Sequence, residues 1–279
     1  MADHEIATKA PESDAYASAQ SPDEAGPVYI TKPDSYPSNP SKLLLLLTGG
    51  TGLNSTNNQI QADKFASEGY ICVMPDLFEG DPAPNTAAIP ESETVVTSFL
   101  DVFKLKAAET AKSFLIDMWL ARHTEEKVLP ILDKVIQACK GEFADAVGYG
   151  GGIYAVGYCF GGRYVLLLAS ERAPIQTGWT GAQKQPDEEA GEGQGPVKNG
   201  PAIKAGALAH ATLVSPGGLH WPKISPGEDT MSKGNLEHEV QVYPGVPHGF
   251  AVVGDYADTN IKEAQITAYE QMLKWLNEH

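Results

Sequence analysis

Ile153-Tyr154-Ala155-Val156-Gly157-Tyr158-Cys159-Phe160-Gly161-Gly162-Arg163 is the stretch that decides the fold. An apolar strand, Ile153 to Val156, runs into Gly-x-Cys-x-Gly, and a helical pattern follows from Gly161 to Ser170. In this arrangement the central residue occupies a strained strand-to-helix turn that raises its side chain above the sheet edge. The residues two before and two after it pass close to each other and must be small. Gly157 and Gly161 meet that need. The helix opening at the turn presents its N-terminal dipole, which favours a thiolate and an oxyanion. Cys159 is therefore the candidate nucleophile, and the Phe160 N–H a candidate oxyanion donor. The alternative is a buried structural cysteine beside a glycine turn, since free cysteine is commonly buried. Strand, spacing and helix together favour the nucleophile.

Working outward, Lys42 to Leu47 is a continuous apolar run closed by Thr48-Gly49-Gly50-Thr51-Gly52, and Tyr70 to Met74 is another, closed by Pro75. Short apolar runs bounded by glycine or proline fit strands buried on both faces of a sheet. Val28 to Thr31 fits an edge strand, and Ala205 to Val214 and Glu239 to Tyr243 are the last strand candidates. Helical periodicity falls on Asn57–Ser67, Glu93–Arg122, Thr124–Lys140 and Thr259–Leu276, with Pro130 a kink or a later start in the third. Strands alternating with helices predict an α/β fold, a mostly parallel central sheet with helices on both faces.

The chain has 279 residues, 42% of them hydrophobic, enough for one sizeable core. Residues 1–27 are polar and read as a mobile leader, and 28–279 as a single domain. The glycine-rich, charged stretch at about 177–200 reads as a long surface loop within it. A net charge of −16 repels phosphate backbones and argues against nucleic acid as a partner. Leu43 to Leu47 is too short to span a bilayer, and the first residues lack the basic and apolar regions of a signal peptide. Three cysteines at unrelated spacings (Cys72, Cys139, Cys159) fit neither a disulfide framework nor a metal site. A protein of a reducing, cytoplasmic compartment is expected, with no membrane partner.

A thiol nucleophile needs a base, and in this kind of fold the chain order is nucleophile, acid, histidine. Of seven histidines, His248 in Tyr243-Pro244-Gly245-Val246-Pro247-His248-Gly249-Phe250 follows the last strand candidate on a proline–glycine loop. His238 stands at that strand's start, the wrong end of the sheet, and His279 is terminal. Asp229 lies between nucleophile and histidine as the candidate acid, with its neighbour Glu228 as rival. The second oxyanion donor should come from the loop after the first central strand, which points to Gly49, Gly50 or Thr51. That loop has a rival meaning as a dinucleotide-binding turn, with Asp76 at the end of the next strand. Ser55 stands where a third glycine is needed, and no Tyr-x-x-x-Lys pair follows.

These residues resemble the dienelactone hydrolases, especially their fungal members. The match runs through Gly52-Leu53-Asn54, Asn57-Asn58-Gln59, Ala62-Asp63 and Gly69-Tyr70. It continues through Val73-Met74-Pro75-Asp76-Leu77-Phe78-Glu79-Gly80-Asp81-Pro82, Gly157 to Gly162 and Gly245 to Phe250. The resemblance spans about residues 42–270. It implies an α/β-hydrolase fold and a Cys-His-Asp hydrolase of an ester or lactone, needing no metal or organic cofactor. Cys159 and His248 match the family's nucleophile and histidine, and Gly50 the position whose N–H helps form the oxyanion hole. His210, in Ala209-His210-Ala211-Thr212, matches a position near the pocket. Together with Tyr158 and Arg163 it is a candidate substrate contact. Three departures stand out, one of them the length of the 177–200 loop. Gly49 takes a place where the family often carries an acidic residue. The acid-bearing strand and helix are truncated, because Pro216 to Gly234 is too short and polar for both.

The expected partner is a small-molecule ester or lactone, handled by a monomer or homodimer. An alternative keeps the fold and changes the class: a catalytically degenerate protein that binds or cyclises a lactone- or polyketide-like ligand. A nucleotide-dependent oxidoreductase is a third reading, resting on the glycine loop and Asp76.

Overall fold

The computed structural model describes residues 26–84, 113–170, 201–212 and 237–279. The leader up to residue 25, the 177–200 loop, and Glu228 with Asp229 lie outside the described residues. In chain order the elements are β1 (Val28–Thr31), β2 (Lys42–Leu47), α1 (Thr56–Ser67) and β3 (Tyr70–Pro75). Then come α2 (residues 113–122), α3 (Glu125–Glu142), α4 (Ala144–Gly150), β4 (Ile153–Tyr158), α5 (Phe160–Ala169), β5 (Ala205–Ala209) and α6 (Thr259–Glu278).

The sheet order is β1-β3-β2-β4-β5, with β1 antiparallel to β3 and the remaining pairs parallel. The leucine run explains β2. Leu43, Leu45 and Leu47 face a cluster that includes Val128, Leu132 and Val135 of α3 and Val165 of α5. Leu44 and Leu46 face the opposite cluster, with Phe65 of α1 and Met272 and Leu276 of α6. Alternate residues of one strand thus serve two cores, so the strand reads as uniformly apolar. Each such leucine contributes about 1.5–3 kcal/mol by leaving water.

Because β3 and β4 flank β2 on opposite sides, the chain leaves the carboxyl end of β2 at a topological switch point. Open α/β sheets bind their ligands in the crevice at such a point. Both the β2–α1 loop, with Gly49 and Gly50, and the β4–α5 turn, with Cys159, open there.

Three expectations change. First, α3 runs unbroken through Pro130. Its stripe of Val128, Leu129, Leu132, Val135, Ile136 and Cys139 is buried on both sides of the proline, and this packing outweighs one missing hydrogen bond. Second, β5 stops at Ala209, because His210 has φ 52°, which turns the chain out of the ladder. Third, residues 237–243 form no strand, and Val240 and Val242 are exposed. Their period-two alternation has no paired edge among the described residues, so it buries neither valine.

Asp76, the acid of the dinucleotide reading, closes the turn after β3. Its carboxylate accepts from the Phe78 N–H at 3.0 Å and the Gly80 N–H at 2.8 Å. Asp76→Ala leaves the Phe78 donor buried without an acceptor and should cost about 2 kcal/mol. A urea titration checks this. A midpoint equal to the parent's would mean that the turn holds without the carboxylate.

Candidate active site

The turn after β4 has the geometry its sequence predicts. Cys159 adopts φ 50°, ψ −113°, a region that side-chain-bearing residues seldom occupy. Such a conformation costs on the order of 1–3 kcal/mol and persists only where its surroundings enforce it. Three backbone bonds enforce it here. The Cys159 N–H donates to the Ala209 carbonyl at 2.9 Å, the Thr212 N–H donates to the Cys159 carbonyl at 3.2 Å, and the Gly161 N–H donates to the Thr48 carbonyl at 3.0 Å. The turn is thereby tied to the ends of both neighbouring strands.

Gly49 lies against the thiol: a Cβ on it would stand 3.2 Å from Cys159 Cβ and 3.9 Å from Sγ. The glycine there keeps one side of the sulfur uncovered. Gly50 packs beside Ala83 and Trp119, where a Cβ would stand 2.8 Å from the alanine Cβ and 3.6 Å from the indole. Phe160 begins α5, so its N–H has no carbonyl one turn earlier to bond. Its ring sits in an aromatic group with Phe78 and Trp119 at 5.2 Å from each. The Trp119 indole N–H donates to the Asp81 carbonyl at 2.8 Å, fixing α2 over the β3 turn.

His248 is exposed at the same edge, and its ring stacks on His210 with centroids 5.0 Å apart and planes 23° apart. The His248 loop is braced from below. Gln265 of α6 donates to the carbonyls of Phe250 at 3.1 Å and Val252 at 2.6 Å, and Gln61 of α1 accepts from the Val253 N–H at 3.0 Å. Phe250 is buried and anchors the loop in the α1–α6 core. His210 Nδ1 accepts the Gly249 N–H at 3.0 Å, so the proton of its neutral ring is on Nε2. Burial, and then the neighbouring His248, push the His210 pKa below its ordinary 6.5.

The other candidate substrate contacts have different places. The Tyr158 side chain is buried in the α6 core, its hydroxyl 3.8 Å from Met272 Sδ. Arg163 forms an ion pair with Glu125 of α3. Neither side chain joins the group around Cys159, because β4 residues alternate faces and Arg163 turns along α5 toward α3. One neighbour escaped the sequence reading: Thr212 Oγ1 stands 3.9 Å from Cys159 Sγ. Only the β4–β5 pairing brings it there, a long-range contact with no local signal. The other two thiols are inert by burial, which pushes Cys72 up strongly and Cys139 up to about 12. Among the described residues, no three His, Cys, Asp or Glu side chains converge as a metal ion would need. No described helix is long and apolar enough to cross a membrane.

A mostly parallel sheet with a strained Gly-x-Cys-x-Gly turn at its switch point and a histidine loop at the same edge defines an α/β-hydrolase-fold protein. The Dienelactone hydrolase family profile matches residues 27–279, so the chain belongs to that family and is a hydrolase. It is 29% identical over 250 residues to the hydrolase tropI of Talaromyces stipitatus, covering 88% of this chain and 85% of that one. It is 28% identical over 258 residues to the hydrolase pyvD of Aspergillus violaceofuscus, covering 91% and 86%. Among solved structures it resembles the native thermophilic esterase Est2 of Thermogutta terrifontis. That likeness has a TM-score of 0.52 at 15% identity and covers 88% of this chain and 86% of that one.

Proposed function

We propose that the protein hydrolyses a carboxylic ester or lactone through a thioester on Cys159. The observation that carries the reading is the Cys159 backbone, φ 50° and ψ −113°, held at the head of α5 beside the switch point. Strain of this kind is retained where it serves chemistry. His248 takes the Sγ proton, and the thiolate adds to the carbonyl carbon. The Phe160 and Gly50 N–H groups receive the oxyanion, each worth roughly 3 kcal/mol. The C–O bond then breaks, and the alkoxide leaves with the proton that His248 returns. Water, deprotonated by His248, attacks the thioester, and the acid departs as the thiol is restored. Asp229, with Glu228 as its rival, orients the imidazole. No metal or organic cofactor takes part. Of the three expected substrate contacts, Tyr158 and Arg163 are engaged elsewhere, while His210 lies against the His248 ring. The three free thiols suit a reducing, cytoplasmic compartment.

Acid quenching during turnover of 4-nitrophenyl acetate tests the mechanism. Mass spectrometry should find an acetyl group on the peptide carrying Cys159 and on neither Cys72 nor Cys139. His248→Gln should slow both acylation and release. Turnover that leaves no acyl group on Cys159 and survives iodoacetamide would favour the binding or cyclising protein over the thiol hydrolase.

A further inference from the structure

We propose that His210 is a positioning residue: it holds the His248 ring by stacking, and is itself held by the Gly249 N–H and by the backbone beside Cys159. The inference rests on the reading of His248 as the base and adds a fourth member to that site.

Four observations converge on it. His210 is one of three non-glycine residues with positive φ among those described, and it lies beside another, Cys159. The register puts them side by side, since Tyr158 pairs with Ala209 and each strand ends at that pair. The Cys159 N–H and carbonyl bond to Ala209 and Thr212, the residues bracketing His210. The nucleophile and the imidazole platform are thus built on one piece of backbone.

The second observation is the lock on the ring. With Nδ1 accepting from Gly249 at 3.0 Å, the imidazole cannot flip without losing that bond. The third is the stack itself, 5.0 Å and 23°. His248 is exposed, and a surface ring with no packed neighbour samples several rotamers. A base must be aimed, and a displacement near 1 Å costs up to about a hundredfold in rate. The fourth is the third side of His210, where the buried Phe250 ring meets it edge-on at 5.1 Å. Phe250 therefore fixes the platform as well as the loop. Burial, and then His248 itself, lower the His210 pKa below its ordinary value, which disfavours a second positive charge beside the His248 ring.

The test uses the whole protein with two variants. Asn tolerates the left-handed backbone at 210 and can still accept from Gly249, but it removes the ring. Phe keeps a ring to stack and removes the acceptor. His210→Asn should lower kcat for 4-nitrophenyl acetate about tenfold with KM within twofold. It should also move the His248 ring proton resonances downfield, as the ring current of the stacked partner is lost. His210→Phe should restore the upfield position and recover more than half of the lost kcat on a logarithmic scale.

A rise in KM at unchanged kcat would make His210 a substrate contact and overturn the inference. So would a kcat within twofold of the parent's, or a lower kcat with unmoved His248 resonances and a lowered Tm. His248→Gln in the same assay separates the two levels. If it retains turnover, the assignment of the base fails and the inference fails with it. If it is inactive while His210→Asn keeps a kcat within twofold of the parent's, only the inference fails.

Discussion

Cys159→Ala should lose ester turnover by a factor on the order of 10⁵ or more, and Cys159→Gly should lose it equally while being the more stable of the two. On the proposed thiol mechanism, the activity loss follows from removing the atom that forms the covalent intermediate. The stability difference follows from the backbone. Alanine keeps a Cβ at φ 50°, ψ −113° and so keeps the strain, whereas glycine occupies that region freely. Relief of about 1–3 kcal/mol is opposed by roughly 0.5–1 kcal/mol of extra chain entropy in the unfolded glycine variant. The net sign favours glycine by about 1 kcal/mol, a Tm difference of about 2–4 °C for a chain of this size. Calorimetry of the two variants beside the parent measures it. A glycine variant less stable than the alanine variant would mean that the turn is not strained. An alanine variant with parental turnover would remove the thiol mechanism altogether.

The parts of this molecule that were legible in the sequence are those with local causes. Five consecutive leucines between Lys42 and Thr48 announce a strand covered on both faces, and the sheet bears that out. Gly157 and Gly161 announce the elbow by their spacing, and the crowding at Gly157 comes from Gly161 and Val165 just after it, though the crowding at Gly161 comes from Leu47 across the sheet. What was illegible depends on pairing across the chain. Thr212 reaches the thiol only because β5 lies beside β4, and the His210–His248 stack joins residues 38 apart in number. Tyr158 shows the same limit from the other side. It is adjacent to Cys159 in sequence, yet strand alternation sends its ring to the opposite face. The alternating Glu239–Tyr243 pattern misled because period two describes a strand's faces and says nothing of whether a neighbouring edge is available. The proposed triad acid, Asp229, lies in a stretch whose composition carries no strand or helix signal, and its assignment rests on chain order alone.

Gly161→Ala should be the most damaging glycine-to-alanine change among the described residues. A Cβ at 161 would stand 2.1 Å from the Leu47 carbonyl oxygen, 2.4 Å from its carbon and 2.8 Å from its Cβ. Leu47 is fully buried in the central strand and pairs with Gly157, so it cannot retreat without opening the β2–β4 ladder. The Cβ has no rotamer by which to escape. The helix must move instead, and moving it breaks the Gly161 N–H bond to Thr48 that ties the turn to β2. Overpacking of a buried site costs about 1–3 kcal/mol where side chains can give way. Here backbone meets backbone, and a cost of about 4 kcal/mol or more is expected, a large share of the 5–15 kcal/mol that a folded domain commonly holds. Gly157→Ala should follow closely, with contacts of 2.6 Å to the Gly161 carbonyl oxygen and to Val165 Cγ2. Gly148→Ala is the control. It lies in α4 with nothing within 4 Å of the added carbon, and helix propensity predicts a gain of about 0.5–1 kcal/mol. Urea midpoints followed by circular dichroism rank the three. An elbow variant as stable as the parent would show that α5 can slide from β2 at little cost, and the sulfur's position would then owe nothing to the two glycines. Because the same contacts that exclude a methyl also impose φ 50° on Cys159, loss of stability and loss of thiol alignment should appear together in Gly161→Ala. Iodoacetamide labelling of whatever fraction folds is the measurement that separates them.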